Sequence, residues 1–278
     1  MYDHLINLVE THHSVPGLKK AHRILHVTDL HISFSDETSC EERVKHAAWR
    51  TEYFSIDGIV AMQRFEAIRQ YIIDHQHELD GVIFTGDIID APYDTNIAFL
   101  EKWFAELPVP YVYAMGNHDW TYMDDYQTPH AMIAERPKFH KLCGGNAFVQ
   151  KKKIGELTFI ALDDTQSCYE DGVAETLADA LQGESNVFLM QHVPLYSPTL
   201  HKDTVDVWKK DLTVGGEGVC KNDNWKKIME LITAENSPVQ GMIAGHLHFW
   251  HEDLLGEKVT QYITAYSTRG NVRLLIFE

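Results

Sequence analysis

The chain has 278 residues, of which 44% are hydrophobic, and a formal net charge of −17 at pH 7. This length allows one large α/β domain or two small ones, and the hydrophobic fraction is enough for a sizeable core. A strongly acidic protein repels polyanions. The charge therefore disfavours nucleic acid and anionic membranes as partners, and it favours a small-molecule substrate held at a locally cationic site.

The N-terminus and the cysteines indicate a cytoplasmic protein with no membrane partner. The opening residues, MYDHLINLVETHHSVPG, are acidic and lack a continuous apolar core, so they are typical of neither a signal peptide nor a transit peptide. No apolar run approaches membrane-spanning length. The wide spacing of the four cysteines favours reduced thiols over a disulfide framework or a zinc ribbon: Cys40, Cys143, Cys168 and Cys220.

The first half of the chain predicts a βαβαβ unit. We expect a short helix or an ordered cap in the first dozen residues. Apolar residues at helical spacing predict amphipathic helices. In chain order, the elements are a strand at 23–28, a helix at 58–76, a strand at 81–85, a helix at 95–106 and a strand at 112–115. Such a series implies parallel strands with right-handed crossovers.

The second half predicts a β-hairpin followed by alternating helices and strands. The hairpin comprises 148–152 and 157–162, helices are expected at 175–181 and 224–233, and strands at 187–190, 242–244, 259–264 and 272–277. No linker divides the chain, so we expect a single domain over residues 1–278, built on two sheets with helices outside. Two long polar stretches, 34–57 and 197–221, are predicted to cover the active site.

Five apolar runs end in side chains of the metal-ligand type: RILHVTDLH, GVIFTGDIID, YVYAMGNHD, VFLMQH and GMIAGHLH. These runs deliver Asp29 and His31, Asp87, Asn117 and His118, His192, and His246 and His248. In open α/β sheets, functional groups gather at the carboxyl ends of strands. The five segments together therefore predict a two-metal hydrolytic site.

Taken alone, the five segments differ in how specifically they indicate a metal site. DLH by itself is better interpreted as a turn cap and a surface histidine, and GDIID is equally compatible with a helix N-cap. GNHD is the most specific segment, because Asn117 offers a neutral oxygen ligand and His118 a proton. The paired histidines of GHLH suit divalent transition metals.

The ordered set DLH, GDIID, GNHD, a histidine before VP, and GHLH resembles the calcineurin-like metallophosphoesterase superfamily. The resemblance implies an α/β fold, a four-layer α/β/β/α sandwich of two mixed sheets flanked by helices. It implies one metal ion held by Asp29, His31 and His248, a second held by Asn117, His192 and His246, and Asp87 bridging the two. It also implies that His118 is the general acid and that Asp90 orients it.

The implied reaction is hydrolysis of a small phosphodiester or phosphomonoester, a nucleotide among the candidates, by attack of a metal-bridged hydroxide. Two divalent ions are needed, and the ligand types do not distinguish Mn, Fe, Zn, Co or Ni. Only Asp29 and Asp87 among the expected ligands are carboxylates, so the loaded site is net positive and suits a phosphate anion.

Differences between these motifs and those of known subfamilies narrow the choice of subfamily. Protein Ser/Thr phosphatases usually carry arginine directly after the second aspartate and end the next motif in glutamate, whereas this chain has Ala91 and Asp119. Purple acid phosphatases supply a tyrosine ligand where this chain has Asp90. The pattern is most similar to the bacterial small-molecule and cyclic-nucleotide phosphodiesterase-like group.

Other functions and the role of several aromatic residues stay open at this point. One alternative is a non-catalytic scaffold on the same fold that binds a protein partner, and another is a metal-dependent nuclease. Aromatic residues in the two cover stretches can stack on a nucleobase or fill apolar patches under long loops. They include Trp49, Tyr53 and Trp208, while Trp120 and Tyr122 follow GNHD. The sequence leaves the oligomeric state open.

Overall fold

Two mixed β-sheets form the centre of the protein, whose computed structural model describes residues 3–37, 39–121, 134–146, 148–164, 166–217 and 222–278. The first sheet contains β1 (Asn7–His13), β2 (His22–Val27), β3 (Gly81–Phe84), β4 (Tyr111–Tyr113) and β11 (Asn271–Phe277). Its strand order is β1-β11-β2-β3-β4. Strands β2, β3 and β4 are parallel, as the βαβαβ pattern predicts, and β11 runs antiparallel to β2.

The second sheet has the strand order β5-β6-β7-β8-β10-β9. Its strands are β5 (Val149–Ile154), β6 (Leu157–Leu162), β7 (Val187–Met190), β8 (Val239–Ala244), β9 (His251–Leu255) and β10 (Val259–Ile263). β5 and β6 form the predicted hairpin. β6, β7, β8 and β10 are parallel, and β9 pairs antiparallel with β10 at the edge.

Helices pack on the outer face of each sheet. The α-helices of the described residues are α1 (Glu41–Tyr53), α2 (Ala61–Asp74), α3 (Asp94–Glu106), α4 (Val173–Leu181), α5 (Pro198–Trp208) and α6 (Asn224–Thr233). Apolar residues of α2 and α3 share one core with the first sheet. Those of α4 and α6 share another core with the second sheet, and α5 lies against β9.

Alternating side chains on each strand produce a third apolar layer between the sheets. In β3, Val82 and Phe84 face the helices, whereas Ile83 faces the second sheet. In β7, Leu189 faces α4 and α6, whereas Phe188 faces the first sheet. Successive side chains of a strand point to opposite faces, so strands covered on both sides are nearly continuous apolar runs. The predicted four-layer α/β/β/α sandwich is thus confirmed.

The prediction for the N-terminal segment was wrong. In place of a helix or cap over the first dozen residues, a 3-10 helix (Asp3–Leu5) precedes β1, which pairs in parallel with β11. Both β1 (NLVETHH) and β9 (HEDLL) are edge strands with partly exposed polar side chains. They lack the apolar run that reveals buried strands, so the pattern does not find them. The stretch 197–221 also contains a helix, α5, that the sequence analysis does not predict.

Cys40, Cys143 and Cys168 are free thiols, as their spacing predicts, and Cys220 lies outside the described residues. Burial raises the pKa of the Cys143 thiol well above its ordinary value, so this side chain is a neutral core residue. Among the described residues, no helix combines the length and apolar character needed to cross a membrane.

Candidate metal centre

Loops that follow five strands carry the sequence-predicted site residues. Asp29 and His31 follow β2, Asp87 and Asp90 follow β3, Asn117 and His118 follow β4, His192 follows β7, and His246 and His248 follow β8. Three groups of these side chains have potential ligand atoms within 4.8 Å of one another: Asp29, His31 and His248; Asp87, His192 and His246; and His31, Asp90 and His118. The structure therefore brings the loops of both sheets together at the carboxyl ends of the strands, as parallel sheets do.

The backbone at this convergence point is strained. Left-handed φ angles occur at Asp29 (53°), His31 (52°), Asp87 (51°), His246 (67°) and His248 (63°). Few non-glycine residues adopt such angles, and those that do cluster at functional sites. Among the residues that the structure describes, ten non-glycine residues have positive φ and five of these are candidate ligands, so the strain is concentrated at the site.

Two glycines allow the loops to approach the carboxylates. A Cβ atom on Gly116 would collide with the side chain of Asp87, and one on Gly245 would collide with Thr28 and Asp29. These positions directly precede Asn117 and His246. The glycines of GNHD and GHLH are therefore required by close packing against the aspartates of the first two motifs.

The first group of ligand atoms is centred on one carboxylate oxygen. Oδ1 of Asp29 lies 3.3 Å from Nε2 of His248, 3.9 Å from Nε2 of His31 and 4.0 Å from Nε2 of His192. The two nitrogens of His31 and His248 are 3.4 Å apart. Oδ2 of Asp29 accepts hydrogen bonds from Oγ1 of Thr28 at 2.6 Å and from the backbone N–H of His246 at 3.0 Å, which fixes the carboxylate.

The second group lies on the other side of Asp87. Oδ2 of Asp87 is 3.1 Å from Nε2 of His192, which in turn is 3.2 Å from Nδ1 of His246. The same oxygen is 3.9 Å from Nε2 of His31, a member of the first group. One oxygen of Asp87 thus faces both groups, and Oδ1 accepts the backbone N–H of His118 at 2.7 Å.

Hydrogen-bond acceptors around the two ligand groups determine which ring nitrogen of a histidine faces the candidate metal position. Nδ1 of His192 lies 2.6 Å from the carbonyl oxygen of Thr85, which only accepts, so Nδ1 carries the hydrogen and Nε2 faces the group. Nδ1 of His31 similarly lies 3.1 Å from Oδ1 of Asp90. Metal-binding histidines show this arrangement, in which the outer nitrogen donates and the inner nitrogen coordinates. Imidazole and carboxylate donors of this kind fit divalent transition metals.

The electrostatics also favour a cation here. Burial alone would lower the pKa of His192, but the carboxylates of Asp87 and Asp29 outweigh burial and raise this pKa to about 10. The neighbouring His246 has its pKa lowered to about 3, chiefly by burial and then by the charge of His192. Two buried carboxylates thus stabilise positive charge between them, and a bound metal ion would supply that charge in place of a proton.

His118 and Asp90 form a dyad beside the two groups. Nδ1 of His118 lies 3.3 Å from Oδ1 of Asp90, and the His118 side chain is 28% exposed. Burial alone would lower the pKa of His118, but Asp87 and Asp90 outweigh this effect and raise it. The dyad therefore presents a partly accessible imidazole that tends to hold its proton.

Asp119, the last residue of GNHD, holds the loops in place. Its two carboxylate oxygens accept the backbone N–H groups of Asp87, Ile88, Ile89 and Gly116 at 2.6 to 3.0 Å. The side chain thereby joins the loop after β3 to the loop after β4. This geometry accounts for the fourth residue of the motif, which the sequence analysis gives no catalytic role.

Several residues that contact the site come from segments without a ligand motif. Arg50 of α1 donates two hydrogen bonds to Asp90, and the ring of Phe54 stacks on His31 with centroids 4.1 Å apart. Tyr266 stacks on His248 at 4.6 Å. The sequence predicts that the stretch with Arg50 and Phe54 covers the active site, but only tertiary packing shows which site residues these side chains contact.

A family model described as calcineurin-like phosphoesterase matches residues 22–249. The match covers most of the chain and contains all the candidate ligands. This chain belongs to the calcineurin-like phosphoesterase family. That family consists of metal-dependent phosphoester hydrolases, a class that fits the clustered histidines and carboxylates.

Three known proteins resemble this chain at low sequence identity. Over 98 residues, 35% of this chain, it is 29% identical to the 3',5'-cyclic adenosine monophosphate phosphodiesterase of Escherichia coli strain K12, and the match spans 30% of that enzyme. A dimetal phosphatase from Danio rerio is 13% identical with a TM-score of 0.51, and the similarity covers 89% of this chain and 88% of that one. A purple acid phosphatase from yellow lupin is 13% identical with a TM-score of 0.54, covering 92% and 45%. At such identities the two structures support the fold alone.

Proposed function

We propose that this metallophosphoesterase is a binuclear enzyme that hydrolyses a small phosphodiester or phosphomonoester, with His118 as the general acid. The observation that carries the proposal is the pair of ligand groups that Oδ2 of Asp87 faces, with a further imidazole, His118, beside them. Asp29, His31 and His248 would hold one ion, and Asn117, His192 and His246 the other. The side chain of Asn117 is buried at the end of the β4 loop, which supports this position for a neutral oxygen ligand.

His31, Asp90 and His118 also lie close enough to hold an ion. However, Arg50 donates two hydrogen bonds to Asp90, so the charge of this carboxylate is already compensated. A cation in this third group would meet the guanidinium of Arg50. We therefore assign Asp90 and His118 to proton transfer, keep His31 as a ligand of the first ion and place no third metal here.

Bound divalent ions would supply Lewis-acid activation of the phosphoryl group and of the attacking water. The protein supplies the proton for the leaving oxygen. Because Nδ1 of His118 lies 3.3 Å from Oδ1 of Asp90, Nε2 would be the nitrogen that donates this proton. Asp87 and Asp90 raise the pKa of His118 above its ordinary value, which favours the protonated form that a general acid needs.

We infer that the substrate carries a flat aromatic group, with cyclic nucleotides as the first candidates. Trp208 of α5 is 39% exposed, its ring centroid lies 5.8 Å from that of His248, and its Nε1 donates to the carbonyl oxygen of Leu247 at 3.0 Å. Tyr53 of α1 is 64% exposed beside Phe54. Exposed aromatic rings beside a phosphate site suit nucleobase stacking, and the Escherichia coli relative is named for a cyclic nucleotide.

We further infer that the two polar stretches belong to the same domain, 1–278, and cover its active site. Residues 34–57 contain α1, which contributes Arg50 and is followed directly by Phe54, and residues 197–221 contain α5, which contributes Trp208. Thr38 and residues 218–221 lie outside the described residues, as does Tyr122.

The direct test is an activity screen of Mn-loaded protein. We expect hydrolysis of bis(p-nitrophenyl) phosphate or p-nitrophenyl phosphate, followed by a preference among cyclic nucleotides, nucleoside monophosphates and nucleotide diphosphate derivatives. Metal content measured on the same sample should be close to two ions per chain. A metal-loaded protein that is inert towards both chromogenic esters would contradict the proposal.

The two alternatives predict different outcomes. A non-catalytic scaffold would bind no metal after supplementation, which elemental analysis would reveal. A metal-dependent nuclease would bind DNA or RNA tightly in a gel-shift assay at moderate salt, despite the charge of −17. For this protein we expect bound metal after supplementation and no gel shift with DNA or RNA.

A further inference from the structure

We propose that Arg50 is a positioning residue for general-acid catalysis, acting through Asp90 on His118. The inference rests on the proposed role of His118. It adds a residue from α1, an element outside every recognised motif, to the catalytic arrangement.

The contact between Arg50 and Asp90 is buried and bidentate. Nε of Arg50 donates to Oδ2 of Asp90 at 2.7 Å, and a terminal nitrogen donates to Oδ1 at 2.9 Å. Arg50 is 5% exposed and Asp90 is 1% exposed. Two parallel bonds fix both the place and the plane of a carboxylate, whereas one bond leaves it free to rotate.

The orientation of Asp90 matters because one of its oxygens serves two histidines. Oδ1 lies 3.1 Å from Nδ1 of His31 and 3.3 Å from Nδ1 of His118. The ring centroids of these histidines are 5.0 Å apart at an interplanar angle of 84°. A small rotation of the Asp90 carboxylate would move Oδ1 away from one of the two histidine rings. By holding the carboxylate, the guanidinium of Arg50 therefore fixes the orientation of both rings.

Helix α1 is held over the site by the same residues. The guanidinium of Arg50 lies 4.6 Å from the ring centroid of Phe54, and that ring stacks on His31 at an angle of 4°. Trp49 and Tyr53 flank the guanidinium at 5.2 and 5.5 Å. Arg50 is thus enclosed by rings and by Asp90, which favours a supporting role over direct contact with a substrate phosphate.

This arrangement gives the departure at Ala91 a physical explanation. The residue after Asp90 is alanine with a left-handed φ of 69°, and its backbone N–H donates to the carbonyl oxygen of His118 at 2.8 Å. The loop after β3 therefore places no cationic side chain directly after Asp90. The cation beside Asp90 is Arg50 of α1, 40 positions earlier in the sequence.

The first test compares two esters with the same phosphoryl group and different leaving groups: methyl p-nitrophenyl phosphate and methyl phenyl phosphate. Protonation by an acid helps the more basic phenolate far more than the nitrophenolate. We expect Arg50→Met in Mn-loaded enzyme to lower kcat about tenfold or more for the phenyl ester and much less for the nitrophenyl ester. Arg50→Lys keeps the charge but lacks the bidentate geometry, and it should restore part of the loss.

Arg64→Met is the matched control. Arg64 is also buried in a helix, but it donates to the carbonyl oxygen of Leu5 and contacts none of the site residues. Arg64→Met should change kcat for the two esters by the same factor. Equal losses for the two esters in Arg50→Met would show a merely structural role and overturn the proposal.

A double variant tests whether Arg50 acts through His118. In a His118→Ala background, adding Arg50→Met should cost nothing further on the phenyl ester, because the acid is already absent. A full additional loss would place Arg50 in direct contact with the substrate and contradict the proposal. If His118→Ala itself shows no dependence on the leaving group, both the acid assignment and this inference fail.

A crystal structure of metal-loaded Arg50→Met provides a measurement independent of activity. We expect a rotated Asp90 carboxylate and loss of the contact between Oδ1 and Nδ1 of His118, with the metal ligands in place. An unchanged dyad would overturn the positioning role even if no substrate had been found.

Discussion

Carboxylates at the site differ in role according to the groups they touch. Asp29 and Asp87 face several imidazole nitrogens, Asp90 faces a guanidinium and two imidazoles, and Asp119 faces four backbone N–H groups. We propose that the first two bind cations and that the third orients histidines, while the last holds the loops after β3 and β4. The sequence alone shows only four aspartates near strand ends.

The first prediction concerns Asp87. Asp87→Asn removes the charge that faces both ligand groups, so metal content should fall from about two ions per chain to one or fewer and activity should be lost. Circular dichroism and elemental analysis would check that the fold survives while the metal is lost. Asp94→Asn, whose side chain is 94% exposed at the start of α3, is the control and should behave as wild type.

The second prediction concerns His118. His118→Ala should lower kcat about 10²–10⁴-fold with both ions retained, because it removes the acid and no ligand. His77→Ala is the matched control, since His77 is exposed in the turn before β3, at the opposite end of that strand. A variant that loses metal along with activity would instead assign His118 to the ligands.

At the scale of elements, α1 and α5 are the parts that distinguish this site. Both come from the stretches that the sequence predicts to cover the active site, and aromatic rings of both stretches lie next to histidines of the site. The position of each ring depends on how its helix packs. Ser197, the N-cap of α5, donates a hydrogen bond to Asp253 of β9, which connects the start of this helix to the second sheet.

The third prediction follows from Trp208. Trp208→Ala should raise KM for an aromatic phosphoester about tenfold, since base stacking contributes about 1–3 kcal/mol, while a small alkyl phosphoester is unaffected. Val207, which is 55% exposed on the same helix, provides the control Val207→Ala. Similar losses on both kinds of ester would indicate that Trp208 acts on His248 and not on the substrate.

At the scale of the whole molecule, each ligand group draws on both sheets. Asp29 and His31 come from the first sheet and His248 from the second, while Asp87 comes from the first and His192 from the second. Bound ions would therefore connect the two halves of the sandwich at the strand ends.

The fourth prediction is that metal stabilises the fold. Binding to the folded state alone at 100 times Kd adds about 2.7 kcal/mol, which raises Tm by about 5 °C for a chain of this size. Differential scanning calorimetry with Mn²⁺ and with a chelator would measure this shift. Asp87→Asn should show a smaller shift, and an equal shift in that variant would place the stabilising ion elsewhere.

Much of this protein is determined by local sequence. Buried strands are apolar runs because both of their faces are covered, and the ligand types follow them directly, so the strand ends of β2, β3, β4, β7 and β8 and the candidate ligands can be read from the chain. The order of the motifs suffices to indicate the family and its four layers.

Other features were decided only by the tertiary structure. The edge strands β1 and β9 are stabilised by pairing and not by apolar content, so their sequences do not reveal them. Arg50 meets Asp90 across 40 residues, and five candidate ligands adopt left-handed backbone that local preference opposes. Such contacts depend on how α1 packs and on the surrounding fold holding the strained loops, which no local pattern encodes.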